Sequence, residues 1–219
     1  QWVKYISVRE KIAMNAGFSD YRSYRWKELL RFDYTPEDCK SFHKAIEETV
    51  VPATMRLAAR RKKALGIDSL RYYDLFVDLS GKPSLTPFST VREMKKKISS
   101  IFHHVLPQFG KYFDQMEEEG LLDLENRKNK AVGGYCTDFS YSKRPFIFAN
   151  TIGIHDDIQT LLHEGGHAFH AFESFKHPYI QQYSESAIPM EFAEVASMAM
   201  EFLASPFLSE EYGGFYSEA

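Results

Sequence analysis

Residues 154–172 alternate apolar and polar positions with the period of an α-helix. At about 100° per residue, one face is apolar, and it carries Ile154, Ile158, Leu161, Leu162, Gly165, Phe169 and Phe172. His163, His167 and His170 fall on the opposite face, with Glu164 at its edge. The pattern predicts a helix that buries one side against a core and opens the other side onto a cleft.

The rest of the chain is mainly helical by pattern, with one short β-prone region. Helices are predicted over residues 3–15, 19–26, 35–65 with a kink near Pro52, 90–102, a run between Pro107 and Gly120, and 189–202. Two β-prone segments lie at residues 133–137 and 146–149. The expected fold is therefore mainly α, with a small β-hairpin or sheet just before the histidine helix.

The run His163-Glu164-Gly165-Gly166-His167 has the spacing of a zinc site. Histidines at positions i and i+4 of a helix lie about 6 Å apart, so both imidazoles can reach one metal ion. The intervening Glu164 is then placed to act on a water molecule rather than on the metal. The sequence predicts one Zn²⁺ per chain, bound by His163 and His167.

Catalytic zinc usually has three protein ligands, so a third is expected further along the chain. Position 173 is Glu173, which excludes a third histidine at the metzincin spacing. The candidates are Glu191, Glu194 and Glu201 on the last helix. Glu191 lies in the first turn, where the helix dipole would explain it. Glu194 is preferred to Glu191 on chemical grounds, because it lies one turn deeper beside Val195 and Met198, where an unpaired carboxylate would be costly.

Composition excludes several classes of function. A net charge of −3 gives no reason to expect nucleic-acid binding, and no stretch resembles a membrane span or a signal peptide. The two cysteines, Cys39 and Cys136, are far apart, which favours a reducing, cytoplasmic setting. The chain begins at Gln1 without a methionine, and we expect it to be a piece of a longer protein.

The residues from His163 to His170, together with Phe192-Ala193-Glu194-Val195-Ala196-Ser197, resemble thimet oligopeptidase and oligoendopeptidase F. Gly134-Tyr135-Cys136 and Arg144-Pro145-Phe146 are similar to the substrate-side strands of these enzymes. The resemblance implies a multi-helix, zincin-like zinc metallopeptidase whose deep channel admits short peptides. It also implies that Glu194 is the third zinc ligand.

The same resemblance implies how the chain is organised. Residues 1–130 are expected to form the helical N-terminal part of the peptidase domain, and residues 131–219 part of its catalytic core, in one continuous domain truncated at its C-terminus. Relatives carry a bulky residue in place of Gly165, which predicts a gap in the apolar face. They also take tyrosine and histidine donors from a downstream segment, so residues 1–219 alone are expected to be impaired unless that segment or another copy associates.

The expected mechanism is hydrolysis of short peptides by a metal-activated water, with Glu164 as the general base. Gly133, Gly134 and Tyr135 are predicted to pair with an extended substrate backbone. His170 and Asp157 are candidates for contact with a ligand histidine, although packing or helix capping would also explain them. The rival hypotheses are a non-catalytic module with a structural zinc and a zinc hydrolase acting on another substrate. Retention of Glu164 argues against the structural site.

Overall fold

The computed structural model describes residues 1–183 and 188–217. The chain divides into two compact units, residues 1–84 and residues 85–219. The helices are α1 (Trp2–Asn15), α2 (Tyr21–Glu28), α3 (Pro36–Ala45), α4 (Val51–Leu65), α5 (Val91–Val105), α6 (Pro107–Glu118), α7 (His155–Ser174) and α8 (Met190–Ala204). The strands are β1 (Leu122–Glu125), β2 (Tyr135–Phe139) and β3 (Arg144–Thr151). The prediction of a mainly α fold with a small sheet is confirmed.

The first unit contains α1 to α4, and its helix boundaries follow local signals. Thr35 caps α3 through a reciprocal pair of hydrogen bonds with Asp38, and Gly66 ends α4 in the left-handed conformation. The irregularity expected near Pro52 is a π-helical turn, Ile46–Val50, that joins α3 to α4. Proline has no N–H to donate to the preceding turn, so the helix continues past it only with altered hydrogen bonding.

The second unit is built around α7, which packs against α5, α6, α8 and the sheet. Phe169 of α7 lies at the centre of an aromatic cluster: its ring centroid is 4.7 Å from that of Phe102 in α5 and 5.0 Å from that of Phe109 in α6. The predicted apolar face of α7 is confirmed for six of its seven residues, since Ile158, Leu161, Leu162, Gly165, Phe169 and Phe172 are buried. The seventh, Ile154, precedes the helix and is 36% exposed. Packing of this face fixes how α7 is rotated about its axis.

Strand β1 was not predicted. It pairs in parallel with β3, and β2 pairs antiparallel with β3, so the strand order is β1-β3-β2. Through β1, and through the packing of α5 and α6 on α7, residues 85–130 pack with α7 and the sheet. The compact units divide between Ser84 and Leu85, whereas the boundary at residue 130 between an N-terminal part and a catalytic part stays a prediction. That residues 1–219 form one continuous domain stays a prediction.

Lys130 joins β1 to β3 from inside the protein. Its side chain is 1% exposed, and its ammonium donates hydrogen bonds to the backbone oxygens of Asp123, Glu125 and Ala149. The same ammonium pairs with the Asp123 carboxylate at 3.0 Å and lies 4.4 Å from the centroid of the Phe148 ring. The buried ammonium has polar partners and therefore links β1 to β3, in the same sheet as β2.

Asp157 secures the start of α7. Its Oδ2 atom accepts hydrogen bonds from the backbone N–H groups of Ile152, Gly153 and Ile154 at 2.7–3.0 Å. These contacts serve the loop that enters the helix and satisfy N–H groups that would otherwise lack a partner. The alternative of helix capping therefore describes the contacts of Asp157, and a contact with a ligand histidine stays a prediction.

Candidate metal centre and substrate cleft

The polar face of α7 opens onto a cleft of about 430 Å³. On the α7 side, its lining consists of His163, Glu164, His167, His170, Ala171 and Ser174. On the opposite sides it consists of Gly134, Tyr135, Cys136, Thr137, Asp138, Tyr183, Ile188, Met190, Ala193 and Glu194. The structure thus places α7, β2 and α8 around one cavity, with the predicted metal ligands inside it.

Among the described residues, one group could hold a metal ion, and it consists of His163, His167 and Glu194. The ligand atoms of the three side chains all lie within 4.8 Å of one another. Glu194 Oε2 is 3.2 Å from His163 Nε2 and 3.6 Å from His167 Nε2. Of the three acidic candidates on α8, the structure brings Glu194 into this group and leaves Glu191 and Glu201 outside it.

The expectation that apolar neighbours surround the Glu194 carboxylate is wrong, although Glu194 does reach the histidines. Val195 and Met198, the apolar neighbours expected to bury the carboxylate, are themselves 61% and 52% exposed. Glu194 is held instead by Ser197, which is fully buried and whose Oγ donates to Glu194 Oε2 at 2.8 Å. Glu194 therefore meets the histidines because it lines the same cleft, and not because apolar side chains surround it.

Gly166 permits α8 to approach α7 closely enough for this contact. A Cβ atom at Gly166 would lie 2.6 Å from the backbone oxygen of Ala196 and 2.6 Å from Cα of Ser197. Because both obstacles are backbone atoms, a larger residue would require the helices to separate. This glycine therefore determines the distance between the histidines on α7 and Glu194 on α8.

Gly165 has a different neighbour, on the core side of α7. A Cβ atom there would lie 2.6 Å from Cζ of Phe102. The gap expected in the apolar face is therefore absent, because the aromatic ring of Phe102 occupies it. The two adjacent glycines serve two separate contacts, one with a core side chain and one with the backbone of α8.

Glu201 makes a contact that sequence reasoning did not assign. Its Oε1 atom is 2.7 Å from His163 Nδ1, the ring nitrogen not directed at Glu194. Glu201 follows Glu194 by two helical turns on the same face of α8, and this spacing was the available signal. The two glutamates therefore make different contacts. Glu194 lies near both histidines, and Glu201 contacts His163 alone.

Glu164 is 8% exposed and receives a hydrogen bond from the backbone N–H of Cys136 in β2. Burial raises the pKa of its carboxyl group above the usual value, against the opposing effects of His163 and of that hydrogen bond. Burial also lowers the pKa of His167. A neutral imidazole is the form that binds metals.

Strand β2 presents an edge to the cleft. Within the described residues it pairs only with β3, and residues 134–138 line the cavity. Of the three predicted substrate contacts, Gly134 and Tyr135 lie in the lining. Gly133, whose φ is +103°, precedes the strand outside it. Gly134 also packs tightly on α7, since a Cβ there would be 3.0 Å from Cγ2 of Thr160. His170 lies in the cleft lining as well.

The model of peptidase family M3 matches residues 4–214 of the chain. The chain belongs to peptidase family M3. This result confirms the resemblance to oligoendopeptidase F that the motifs indicated.

Several M3 relatives are similar over most of the chain. An oligoendopeptidase F homolog of Lactococcus lactis subsp. lactis (strain IL1403) is 32% identical over 203 residues, which are 90% of this chain and 32% of that protein. Group B oligopeptidase PepB of Streptococcus agalactiae serotype III (strain NEM316) is 27% identical over 195 residues, 87% of this chain and 30% of that protein. The chain thus spans about a third of the length of these relatives.

The fold is also shared with solved structures. PZ peptidase A with inhibitor 2 superposes with a TM-score of 0.82 at 35% identity, over 93% of this chain and 35% of the other.

Within the described residues, no helix of this M3 chain combines the length and apolarity needed to cross a bilayer.

Proposed function

We propose that this M3 chain carries the metal centre and part of the substrate cleft of a zinc-dependent oligopeptidase that hydrolyses short peptides. The observation that supports this most strongly is the convergence of His163, His167 and Glu194 in a cleft that also contains the buried Glu164. Membership of peptidase family M3 supports peptidase activity, and the relatives PepB and PepF are named as oligopeptidases.

The three side chains fit a zinc ion. Tetrahedral ligands at about 2.0–2.1 Å from zinc lie about 3.4 Å from one another. The separations of 3.2 and 3.6 Å between Glu194 Oε2 and the two Nε2 atoms bracket that value. If both imidazoles are neutral and turn their Nε2 lone pairs towards the Glu194 carboxylate, three acceptors face one another, and a cation between them would relieve the repulsion. Two nitrogens and one oxygen are also a ligand set of catalytic zinc sites.

A zinc ion bound here would polarise the carbonyl group of the scissile peptide bond and lower the pKa of a water to about 7. Glu164 is the group that moves the proton: its carboxylate accepts one from the attacking water and delivers it to the leaving amine. The backbone N–H of Cys136 and the burial of Glu164 hold the carboxylate at the cleft wall. The edge of β2 from Gly134 to Asp138 offers backbone groups to an extended peptide.

The rival hypothesis of a structural zinc site is less consistent with these contacts. Structural zinc usually has four protein ligands, and the described residues supply three. A structural site also has no use for a buried carboxylate beside the first histidine. A reducing, cytoplasmic setting is part of the proposal, since the chain has only two cysteines, Cys39 and Cys136, and each is a free thiol.

The proposal is tested in the natural full-length protein by metal analysis and by substitution of His163 and of Glu164. We expect about one zinc per chain, and we expect His163→Ala to abolish it. Glu164→Gln should retain zinc and lower the hydrolysis of a short quenched peptide by about 10²–10⁴-fold, because an amide cannot accept the proton. Undiminished hydrolysis by Glu164→Gln would contradict the assigned base. Metal-free native protein with full activity would contradict the zinc site.

A further inference from the structure

Helix α8 contributes a second carboxylate to the centre, in addition to the proposed ligand Glu194. Glu201 Oε1 lies 2.7 Å from His163 Nδ1, while His163 Nε2 lies 3.2 Å from Glu194 Oε2. The imidazole of His163 is thus held at both ring nitrogens by carboxylates from one helix. His167 has no equivalent partner among the contacts of the described residues.

The contact with Glu201 determines which nitrogen of His163 carries a hydrogen. An ionised carboxylate can only accept hydrogen bonds, and a neutral imidazole has a single N–H to donate. Both ring nitrogens of His163 face a carboxylate, and the shorter contact, 2.7 Å from Nδ1 to Glu201 against 3.2 Å from Nε2 to Glu194, assigns the hydrogen to Nδ1. With Nδ1 protonated, the lone pair of the neutral ring is on Nε2, which points at Glu194 and the proposed metal position. The alternative tautomer would set two acceptors against each other at 2.7 Å.

We propose that Glu201 is a positioning residue that fixes the tautomer and ring orientation of His163 before the metal binds. This inference rests on the proposed zinc site. Partners of this kind also raise the basicity of a ligand histidine, and their loss typically weakens metal binding 10–100-fold. Ser197 in turn orients the carboxylate of Glu194, the one proposed ligand from α8, because its buried Oγ donates to Glu194 Oε2.

Close packing of α7 and α8 keeps the two contacts together. Gly166 lets the backbone of α8 meet α7 at Ala196 and Ser197, between Glu194 and Glu201 along the helix. The two carboxylates are separated by two turns, so both point towards α7 from the same face. The arrangement is therefore set by helix geometry.

The decisive measurement is the tautomer of His163 in the metal-free protein. The protein labelled with ¹⁵N-histidine is examined by two-bond ¹H–¹⁵N correlation at about pH 9, above the ordinary imidazole pKa, and His163→Ala assigns the signals. We expect His163 to carry its hydrogen on Nδ1. Glu201→Ala should abolish this preference, and Glu201→Gln should weaken it, because an amide carries both a donor and an acceptor.

Zinc affinity, measured by competition with a chromophoric chelator, gives a second readout. We expect Glu201→Ala to weaken zinc binding by about 10–100-fold and Glu201→Gln by less, while Glu191→Ala on the same helix leaves it unchanged. If Glu201→Ala fails to fold, the isosteric Glu201→Gln carries the test alone. A His163 tautomer that is the same in wild type and both variants would overturn the inference. A changed tautomer in a protein that binds no zinc would leave the positioning role standing and overturn the proposed function instead.

Discussion

Helices α7 and α8 both supply ligands to the candidate metal centre, but they are held in the protein in different ways. Ten of the 20 residues of α7 are buried, against three of the 15 residues of α8. The apolar face of α7 is enclosed by α5, α6 and the sheet. Most apolar side chains of α8 are exposed in this structure, namely Met190, Phe192, Val195, Met198, Phe202 and Leu203.

Because α7 is more deeply buried than α8, the two helices should contribute differently to the stability of the fold and to the geometry of the metal centre. The histidines of α7 are oriented by a packed core, in which Phe169 contacts the rings of Phe102 and Phe109. The side chains of α8 reach the same centre through a few contacts: the close approach at Gly166 and the hydrogen bonds of Ser197 and Glu201. Substitutions on the buried apolar face of α7 should therefore affect the folded state most, whereas substitution of Glu194 or Glu201 in α8 should affect metal binding more than stability.

The largest expected effect is on the stability of the α7 core. Phe169 is 2% exposed, so Phe169→Ala should lower the free energy of unfolding by about 3–5 kcal/mol. Phe202 of α8 is 76% exposed, so the matched change Phe202→Ala should cost no more than about 0.5 kcal/mol. Denaturant unfolding of the metal-free protein measures both. Equal losses would mean that α8 is as deeply packed as α7.

The next effect concerns zinc affinity and compares two glutamates of α8. Glu194→Ala removes a ligand and should weaken zinc binding at least about 100-fold, or about 2.7 kcal/mol. Glu191→Ala, in the first turn of the same helix, should change it little. Chelator competition gives both affinities. A larger loss at Glu191 would show that α8 is rotated relative to the arrangement described here.

The smallest effect distinguishes the two adjacent glycines. Gly166→Ala forces a methyl group against the backbone of α8 and should cost about 1–3 kcal/mol, reduced by a gain in helix propensity of about 0.5–1 kcal/mol. It should also weaken zinc binding, because the distance to Glu194 increases. Gly165→Ala meets the Phe102 ring instead, and so should lower stability while changing zinc affinity less. A weaker zinc site in Gly165→Ala than in Gly166→Ala would contradict these separate roles.

Local features of the sequence predicted much of the fold. The apolar period of α7, the caps at Thr35 and Thr90, and the helix ends at Gly66 and Gly120 all depend on neighbours a few residues apart. The strands β2 and β3 were expected from their β-prone residues. Strand β1 was missed because four residues carry little local signal, and its partner β3 lies further along the chain.

The sequence by itself determined which residues could bind a metal, since a His-Glu-x-x-His helix places two imidazoles on one face regardless of its surroundings. Only the tertiary structure decided how α8 meets that face. The approach of Gly166 to Ala196 and the contact of Glu201 with His163 join residues 30 or more positions apart. Periodicity along one helix carries no information about the distance to another helix. The close packing of the two backbones sets that distance, and with it the separation of the three proposed ligands.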